Sequence, residues 1–159
     1  MPEWMEIFLL VTATAGAGLV GGIFFAFSNF IMKALALAPG AEGARAMQNI
    51  NVTVLNASFF AVFFGTGLVA LVIAVATPNV WNAPGAVMGR AAALLYLFGT
   101  LGVTMLFNVP LNDRLAAARP DNGLAEIWTH YVTAWTCWNH VRTIAALLAA
   151  VLFALSIAF

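Results

Sequence analysis

The stretch Trp135-Thr136-Cys137-Trp138-Asn139-His140-Val141-Arg142 runs directly into the apolar segment TIAALLAAVLFAL at 143–155, and this junction decides the fold. The apolar segment predicts a helix that crosses a bilayer, which takes roughly 20 predominantly apolar residues. The polar residues at its mouth would be costly in hydrocarbon unless they are paired or functional. We therefore expect a membrane protein whose chemistry, if it has any, is located at this junction.

The composition of the chain excludes an ordinary soluble domain. Of its 159 residues, 64% are hydrophobic and only 8% are charged, whereas soluble domains contain about 25% charged residues. We predict an all-α, polytopic membrane protein in which residues 1–159 form one domain. The net charge of zero gives no reason to expect nucleic acid as a partner. The single cysteine, Cys137, excludes an intrachain disulfide and a cysteine-cluster metal site, and no metal site is predicted.

Four apolar segments are long enough to span a bilayer, and they predict an antiparallel bundle of four transmembrane helices. The acidic start of the chain, 1–6, lacks the positive region of a cleavable signal peptide, so the first segment is expected to be retained. A short interfacial helix is predicted within 41–50. The four predicted spans cover about 7–37, 52–76, 87–107 and 139–158.

The remaining linkers contain turn signals. Pro78 and Asn82 mark the linker at 77–86 as a loop. In the third linker, Pro110 is expected to end the third helix, because proline lacks a backbone donor and its ring clashes with the preceding turn. The chain should become helical again after the turn at 120–123 and run into the fourth span.

Basic residues predict the orientation in the membrane. All but one of them belong to the first and third linkers or their flanks, and Arg90 alone lies at the other end. The positive-inside rule then puts both longer linkers in the cytoplasm and both termini outside. We expect a bacterial inner-membrane protein with the lipid bilayer as its first partner. The basic residues on the cytoplasmic side are Lys33, Arg45, Arg114, Arg119 and Arg142.

Polar residues accumulate at one end of the predicted bundle. Because neighbouring spans are antiparallel, the end of the first and third spans and the start of the second and fourth share one membrane face. This asymmetry predicts a polar pocket between the helices near the cytoplasmic face. The residues concerned are Ser28, Asn29, Lys33, Asn49, Asn51, Thr53, Asn56, Thr104, Asn108, Asn112, Thr136, Asn139, His140 and Arg142.

A helical projection of 128–159 separates an inward stripe from a lipid face. At about 100° per residue the polar and aromatic residues of the stripe fall within an arc roughly 100° wide. His140 lies beside the stripe, about 100° around from Asn139. Leu148, Val151, Leu152 and Leu155 lie away from it. The stripe comprises Trp128, Tyr131, Trp135, Trp138, Asn139 and Arg142, and it continues through Ala146, Ala149, Ala150 and Phe153.

The polar candidates have two interpretations each. Arg142 is either an interfacial anchor or a fixed cation that binds an anion or an enolate. His140 is either a general base, because its usual pKa lies near working pH, or a structural histidine. Asn51 either joins helices by hydrogen bonds or contributes to the pocket.

Two further features also remain open. Trp135 and Trp138 are either membrane-interface anchors or a flat wall for a planar ligand. Gly18-xxx-Gly22 is a spacing at which helices pack closely, within the bundle or in a homo-oligomer.

Several segments together resemble a known family of membrane proteins, the anthrone oxygenase family, DUF1772. The Trp-Asn-His-x-Arg motif at 138–142 is the most specific of them. The resemblance extends over nearly the whole chain in the family's order. Its segments are GGIFFAFS at 21–28, AMQNIN at 46–51, NVPLN at 108–112, WTHY at 128–131 and WTCWNHVR at 135–142.

The resemblance implies a function for the pocket. Members with an assigned role oxidise an anthrone to an anthraquinone with molecular oxygen and are thought to need neither metal nor flavin, so no cofactor is expected. Such chemistry requires a base, a cation or amides for an oxyanion, and an apolar wall for the rings. On this hypothesis His140 is the base, and Arg142 and Asn139 hold the oxyanion. The substrate-binding candidates are Asn29, Asn51 and Asn108 for polar groups, and Phe27, Trp135 and Trp138 for the rings.

Two other classes of function compete with the oxygenase. The same pocket could hold a quinone, a lipid or another hydrophobic or aromatic small molecule without any catalysis. Alternatively, the protein could be a structural or accessory subunit whose amides only pack helices. A transporter is disfavoured, because the chain shows no repeat and its span interiors lack acidic residues for ion coupling.

Overall fold

The computed structural model describes residues 2–39, 41–76, 83–119 and 123–159. The loop predicted around Pro78 and Asn82 lies outside the described residues, as does the start of the turn predicted at 120–123. The structure is all-helical, as predicted. The described residues form five helices, α1 (Glu3–Leu37), α2 (Glu42–Thr53), α3 (Ala57–Ala76), α4 (Pro84–Ala117) and α5 (Leu124–Ala158).

Four of these helices, α1, α3, α4 and α5, are long and apolar enough to cross a membrane, which confirms the predicted four-helix membrane bundle. Helix α5 packs along α1 and α4, and α3 packs along the same two helices. At one end of the bundle the Ser156 hydroxyl donates to the Gly85 carbonyl at 2.8 Å, which joins the last turns of α5 to the start of α4.

The predicted interfacial helix is present as α2, and it docks across the other end of the bundle. The Gln48 amide donates to the carbonyls of Leu115 and Ala118, at 2.7 and 3.2 Å, where α4 ends. Gly43 lies so close to the Leu35 carbonyl of α1 that a side chain there would overlap it. These contacts hold α2 against α1 and α4.

Helix α3 begins at Ala57 rather than at the predicted Val52. The chain turns between α2 and α3, and Asn56 caps the new helix by accepting the Phe59 amide N–H at 3.0 Å on its side-chain oxygen. Asparagine is a favoured N-cap because it satisfies a backbone donor that has no partner within the helix.

The prediction that Pro110 ends the third helix is wrong, because α4 continues through it to Ala117. Upstream of the proline, α4 contains π-helical turns at Leu95–Gly102 and Thr104–Asn108. The α-helical hydrogen bonds resume only at Val109–Ala117, so Pro110 stands in the first turn of that segment. A proline is tolerated there, because its missing N–H would have no α-helical partner anyway.

The buried residues form two clusters, one along the membrane-spanning helices and one at the α2 end. The first cluster packs small residues, such as Ala17, against aromatic and branched ones. The membrane-spanning helices therefore approach one another closely. The second joins α2 to the ends of α1, α4 and α5. Its members are Met32, Ala44, Met47, Leu115, Ala118, Leu124, Tyr131 and Trp135.

The inward stripe predicted for α5 is confirmed. Its central residues Tyr131, Trp135, Asn139, Arg142, Ala146, Ala149 and Phe153 are buried, while Leu148, Val151 and Leu155 are exposed. Leu152, which was predicted to lie away from the stripe, is instead half-buried against the core, as is Ala150 of the stripe. Trp128 and Trp138, at the margins of the stripe, are half-buried. The stripe faces α1, α4 and, at its start, α2.

Candidate functional site

A cavity of about 320 Å³ lies between α1, α2, α3 and α4, with α5 as its floor. Most of its wall is aliphatic or aromatic, and four polar side chains interrupt that surface. Its apolar residues are Ile23, Phe24, Phe27, Met47, Ile50, Val54, Leu55, Phe59, Phe60, Phe63, Phe64, Met105, Val109 and Trp135, and its polar residues are Asn51, Thr104, Asn112 and Arg142.

Arg142 is the one charged residue among the described residues that line the cavity. Its side chain is 6% exposed. Its Nε donates to the Asn139 side-chain oxygen at 2.8 Å, and its Nη1 donates to the Thr104 hydroxyl at 3.3 Å. An arginine has five N–H donors, so donors remain for a ligand. Within the described part of the chain, no carboxylate pairs with this guanidinium.

Aromatic rings hold the guanidinium of Arg142 in place. Its central carbon lies 3.9 Å from the centre of the Phe24 ring and 4.8 Å from that of the Trp135 ring. A cation over an aromatic face is attracted by the ring quadrupole, more strongly in a desolvated site. Arg142 therefore points into the pocket rather than towards the membrane surface.

Asn139 fixes the orientation of Arg142 without lining the cavity. Its amide nitrogen donates to the Phe24 carbonyl at 2.8 Å and to the Ser28 hydroxyl at 2.7 Å, both on α1. Its oxygen is thereby turned towards the Nε of Arg142. Because both amide atoms have partners, Asn139 is a positioning residue, with no side-chain donor left for a substrate oxyanion.

A second hydrogen-bonded group closes the cavity on the α2 side. The Asn112 side-chain oxygen accepts the Tyr131 hydroxyl at 2.8 Å and the Trp135 indole N–H at 2.9 Å. The Asn51 amide donates to the same Tyr131 oxygen at 3.4 Å. Trp135, Asn51 and Asn112 all line the cavity, so two of the predicted substrate-binding residues meet there.

Asn112 was not among the predicted site residues. Its sequence signal was its place among the polar residues at one end of the bundle. Asn112 was counted among the polar residues at that end, but the interpretation of 108–112 as a helix terminator left it out of the substrate-binding candidates.

Asn108 is buried but does not line the cavity. Its amide nitrogen donates to the Trp135 carbonyl at 3.2 Å, which joins α4 to α5. Its side-chain oxygen is buried and has no hydrogen-bond partner among the described residues, and the same holds for the hydroxyl of Thr100 two turns earlier. Asn108 therefore holds the backbone of Trp135 without lining the cavity.

The two remaining ring candidates lie on different sides of α5. Phe27 lines the cavity, with its ring centre 5.6 Å from that of Trp135. Trp138 does not line it; instead it stacks on Phe107 of α4 at 3.7 Å between ring centres. Trp138 thus packs two helices together and offers no wall to the cavity.

His140 and Asn29 lie away from Arg142. Both are exposed. His140 lines a separate surface groove of about 400 Å³ with Lys33 and Cys137, on the face of α5 that the helical projection predicted. Ser28, next to Asn29, is the α1 residue that reaches the site, through Asn139. A further open groove of about 490 Å³ near Arg114 and His130 contains none of the predicted site residues.

The arrangement can bind a planar apolar molecule that carries one anionic oxygen. The aromatic walls match ring systems, and Arg142 with Asn51 and Asn112 offers polar contacts at one side. None of the described residues that line the cavity carries a carboxylate or an imidazole. The site therefore provides charge stabilisation but no obvious general base.

One of three comparisons with known proteins gave a match. No curated protein and no solved structure matched the chain. The family model described as anthrone oxygenase matches residues 57–152, which is more than half of the chain. The matched region contains α3, α4 and most of α5, and with them Asn112, Trp135 and Arg142; the resembling segments at 21–28 and 46–51 lie before it. This membrane protein therefore belongs to the anthrone oxygenase family.

Proposed function

We propose that the cavity binds an anthrone-like aromatic compound and that the protein oxidises it to a quinone with molecular oxygen. The observation that carries the proposal is the buried guanidinium of Arg142, which faces an aromatic cavity without a carboxylate partner. An unpaired buried cation is costly, so a ligand anion that completes the pair would be bound strongly.

The ring oxygen of the ligand is the group that Arg142 binds in this proposal. When an anthrone loses a proton from its methylene carbon, the negative charge is delocalised onto that oxygen. A preorganised donor at the point where charge develops lowers the barrier, and its effect is largest where water is excluded. Phe24, Phe27 and Trp135 supply the apolar surface for the rings.

The reaction is balanced with oxygen as the only co-reactant. The ligand anion gives electrons to O2, and a carbon–oxygen bond forms at the former methylene carbon to give a hydroperoxide after protonation. Loss of the second hydrogen from that carbon and cleavage of the O–O bond release water and leave a carbonyl. One anthrone and one O2 thus become one anthraquinone and one water.

The first proton goes to water in this proposal rather than to His140. The guanidinium makes the ligand more acidic by stabilising its anion, so a strong protein base is not required. This revises the role predicted for His140, because that side chain belongs to a different groove.

A second candidate function is non-catalytic binding of a quinone or a similar hydrophobic molecule. The observation that favours it is the lack of a carboxylate or imidazole among the described residues lining the cavity. Such a protein would hold the same ligand at Arg142 and consume no oxygen.

The proposed oxygenase is tested by oxygen uptake of detergent-purified protein with a simple anthrone, with and without a chelator. Replacement of Arg142 by Gln removes the charge but keeps a polar side chain. We expect kcat/KM to fall by about 10²–10³-fold, as for loss of an oxyanion donor, and wild-type uptake to survive the chelator. His140→Ala serves as the matched control on the same helix and should keep wild-type turnover.

Three outcomes would contradict parts of this account. Equal turnover by wild type and Arg142→Gln would remove Arg142 from the reaction. Loss of activity in His140→Ala would restore the histidine as the base. Binding of anthraquinone without any oxygen uptake from the anthrone would favour the non-catalytic function.

A further inference from the structure

We infer that the cavity exchanges its ligand sideways with the bilayer, through a gap between α3 and α4, and not with water at the membrane surface. The inference rests on the proposed role of the cavity as a ligand site. Leu55, in the turn between α2 and α3, lines the cavity and is 62% exposed. Three other lining residues form the rim of the gap between α3 and α4 and are exposed on the outer surface of the bundle. They are Phe60 (39% exposed) and Phe64 (46%) on α3 and Met105 (52%) on α4.

The rim faces the hydrocarbon region of the membrane. Phe64 is the eighth residue of α3, a helix of apolar residues that is long enough to span a membrane. At about 1.5 Å per residue, Phe64 lies about 10 Å along that helix from its first residue. An opening at this depth meets acyl chains, and its exposed aromatic and thioether side chains are compatible with them.

A continuous series of aromatic contacts leads from the rim to Arg142. Phe60 lies 5.6 Å from Phe64, and Phe64 lies 5.1 Å from the buried ring of Phe63. Phe63 contacts Phe24 at 6.2 Å, and the guanidinium of Arg142 lies 3.9 Å from the Phe24 ring centre. A planar ligand could therefore remain in contact with rings along the whole path.

The opposite end of the cavity, towards the membrane surface, is covered by α2. Met47 of α2 is buried in the cluster that joins α2 to α4 and α5. Gln48 fastens the same helix to the end of α4 with two hydrogen bonds. Entry from that side would require α2 to leave this docked position, whereas the gap between α3 and α4 requires only side-chain movement.

This route selects the chemical class of ligand. A compound that enters through hydrocarbon must arrive uncharged, because transfer of an ionised group into an apolar medium is very costly. The ligand is therefore a neutral, membrane-dissolved ring compound that ionises only when it reaches Arg142. Sulfonated or glycosylated forms of the same ring system would be excluded at the rim.

The test uses protein reconstituted in phosphatidylcholine vesicles and loaded with radiolabelled anthraquinone. After dilution into excess empty vesicles, the label retained by the protein is followed over time. Met105→Trp narrows the gap, and we expect both loading and release of the label to slow by about tenfold, since a narrowed access route lowers both rates together. Leu106→Trp is the matched control, because Leu106 is 71% exposed and does not line the cavity.

A second pair of variants keeps the test decisive if a variant of the first pair fails to fold. Phe64→Trp should slow exchange on the α3 side, and Leu68→Trp, one turn further along the exposed face, should not. Equal exchange rates within both pairs would overturn lateral access, as would no binding of anthraquinone to the wild-type protein. Gap-dependent exchange without oxygen uptake from an anthrone would keep this inference and remove the oxygenase.

Discussion

At the scale of single residues, a chain of hydrogen bonds orients one guanidinium in the site. Phe24 and Ser28 of α1 fix the amide of Asn139, and the oxygen of that amide then fixes Nε of Arg142. Each bond is short and most of the atoms are buried, so an error at one position is transmitted to the next. A substitution in this chain of hydrogen bonds would therefore disturb the orientation of the guanidinium without removing its charge.

The residue-scale prediction concerns Asn139. Asn139→Ala leaves Nε of Arg142 without its acceptor and removes the side-chain donor to the Phe24 carbonyl, and we expect a loss of about 1–3 kcal/mol in the free energy of unfolding. Thermal unfolding in detergent measures this loss as a lower Tm. Asn29→Ala is the control: Asn29 is exposed, so its Tm should stay near that of wild type. Equal Tm values for the two variants would refute the positioning role.

Sequence reasoning identified most of these residues but misassigned several roles. The projection of α5 correctly turned Trp135, Asn139 and Arg142 inward and left His140 on a neighbouring face. His140 was nevertheless predicted to be the base, because histidine is the most common general base in enzymes. For α1 the prediction selected Asn29, whereas Ser28 is the buried neighbour; a π-helical turn at Phe27–Ile31 changes which side chains face inward there, and the sequence does not announce such a turn.

At the scale of helices, the cavity exists because α2 closes one end and α4 changes its winding beside it. The π-helical turns of α4 lie between Leu95 and Asn108, next to Arg142, and π-helical turns are frequent at functional sites. Continued winding through Pro110 also brings Asn112 to the cavity wall. Neither feature follows from hydropathy, because the length of an apolar run locates a span but not its last turns.

The helix-scale prediction tests the docking of α2. A methyl group added at Gly43 would overlap the Leu35 carbonyl, a backbone atom that cannot simply rotate away. We expect Gly43→Ala to displace α2, to lower stability by about 1–3 kcal/mol as overpacking does, and to weaken ligand binding at the cavity.

Gly18→Ala provides the comparison, because an added methyl group at Gly18 meets nothing within 4 Å. Thermal unfolding and anthraquinone binding are measured for both variants. Unchanged binding in Gly43→Ala would show that α2 does not shape the cavity.

At the scale of the whole molecule, composition was sufficient to predict the class, and the four long apolar segments were sufficient to predict the number of spans. A chain with 64% hydrophobic and 8% charged residues has to satisfy its backbone within helices in a membrane. The orientation with both termini outside, the bacterial inner membrane and a homo-oligomer through the Gly18-xxx-Gly22 face stay predictions. The orientation depends on loop charges, and the homo-oligomer depends on a helix surface whose partner would be a second copy of the chain.

The whole bundle also explains how so few polar residues can serve a reaction. Most of the cavity wall is apolar, so a single guanidinium acts in a low-dielectric setting where its effect on a developing anion is large, and a water molecule beside the ligand is enough to take the proton in the proposed reaction. The aromatic wall and the gap between α3 and α4 then restrict the site to neutral ring compounds from the bilayer. In the proposed function, ligand binding, ionisation and oxidation all depend on Arg142.

The most direct test of this claim is the absorption spectrum of an anthrone bound to the purified protein under argon. Without oxygen the proposed reaction stops at the ligand anion, whose longer conjugation absorbs at longer wavelength than the neutral form. We predict that wild-type protein shifts the bound ligand to the spectrum of the anion and that Arg142→Gln binds it with the neutral spectrum. A neutral spectrum with wild-type protein, or the same anion spectrum with Arg142→Gln, would contradict the central role of Arg142.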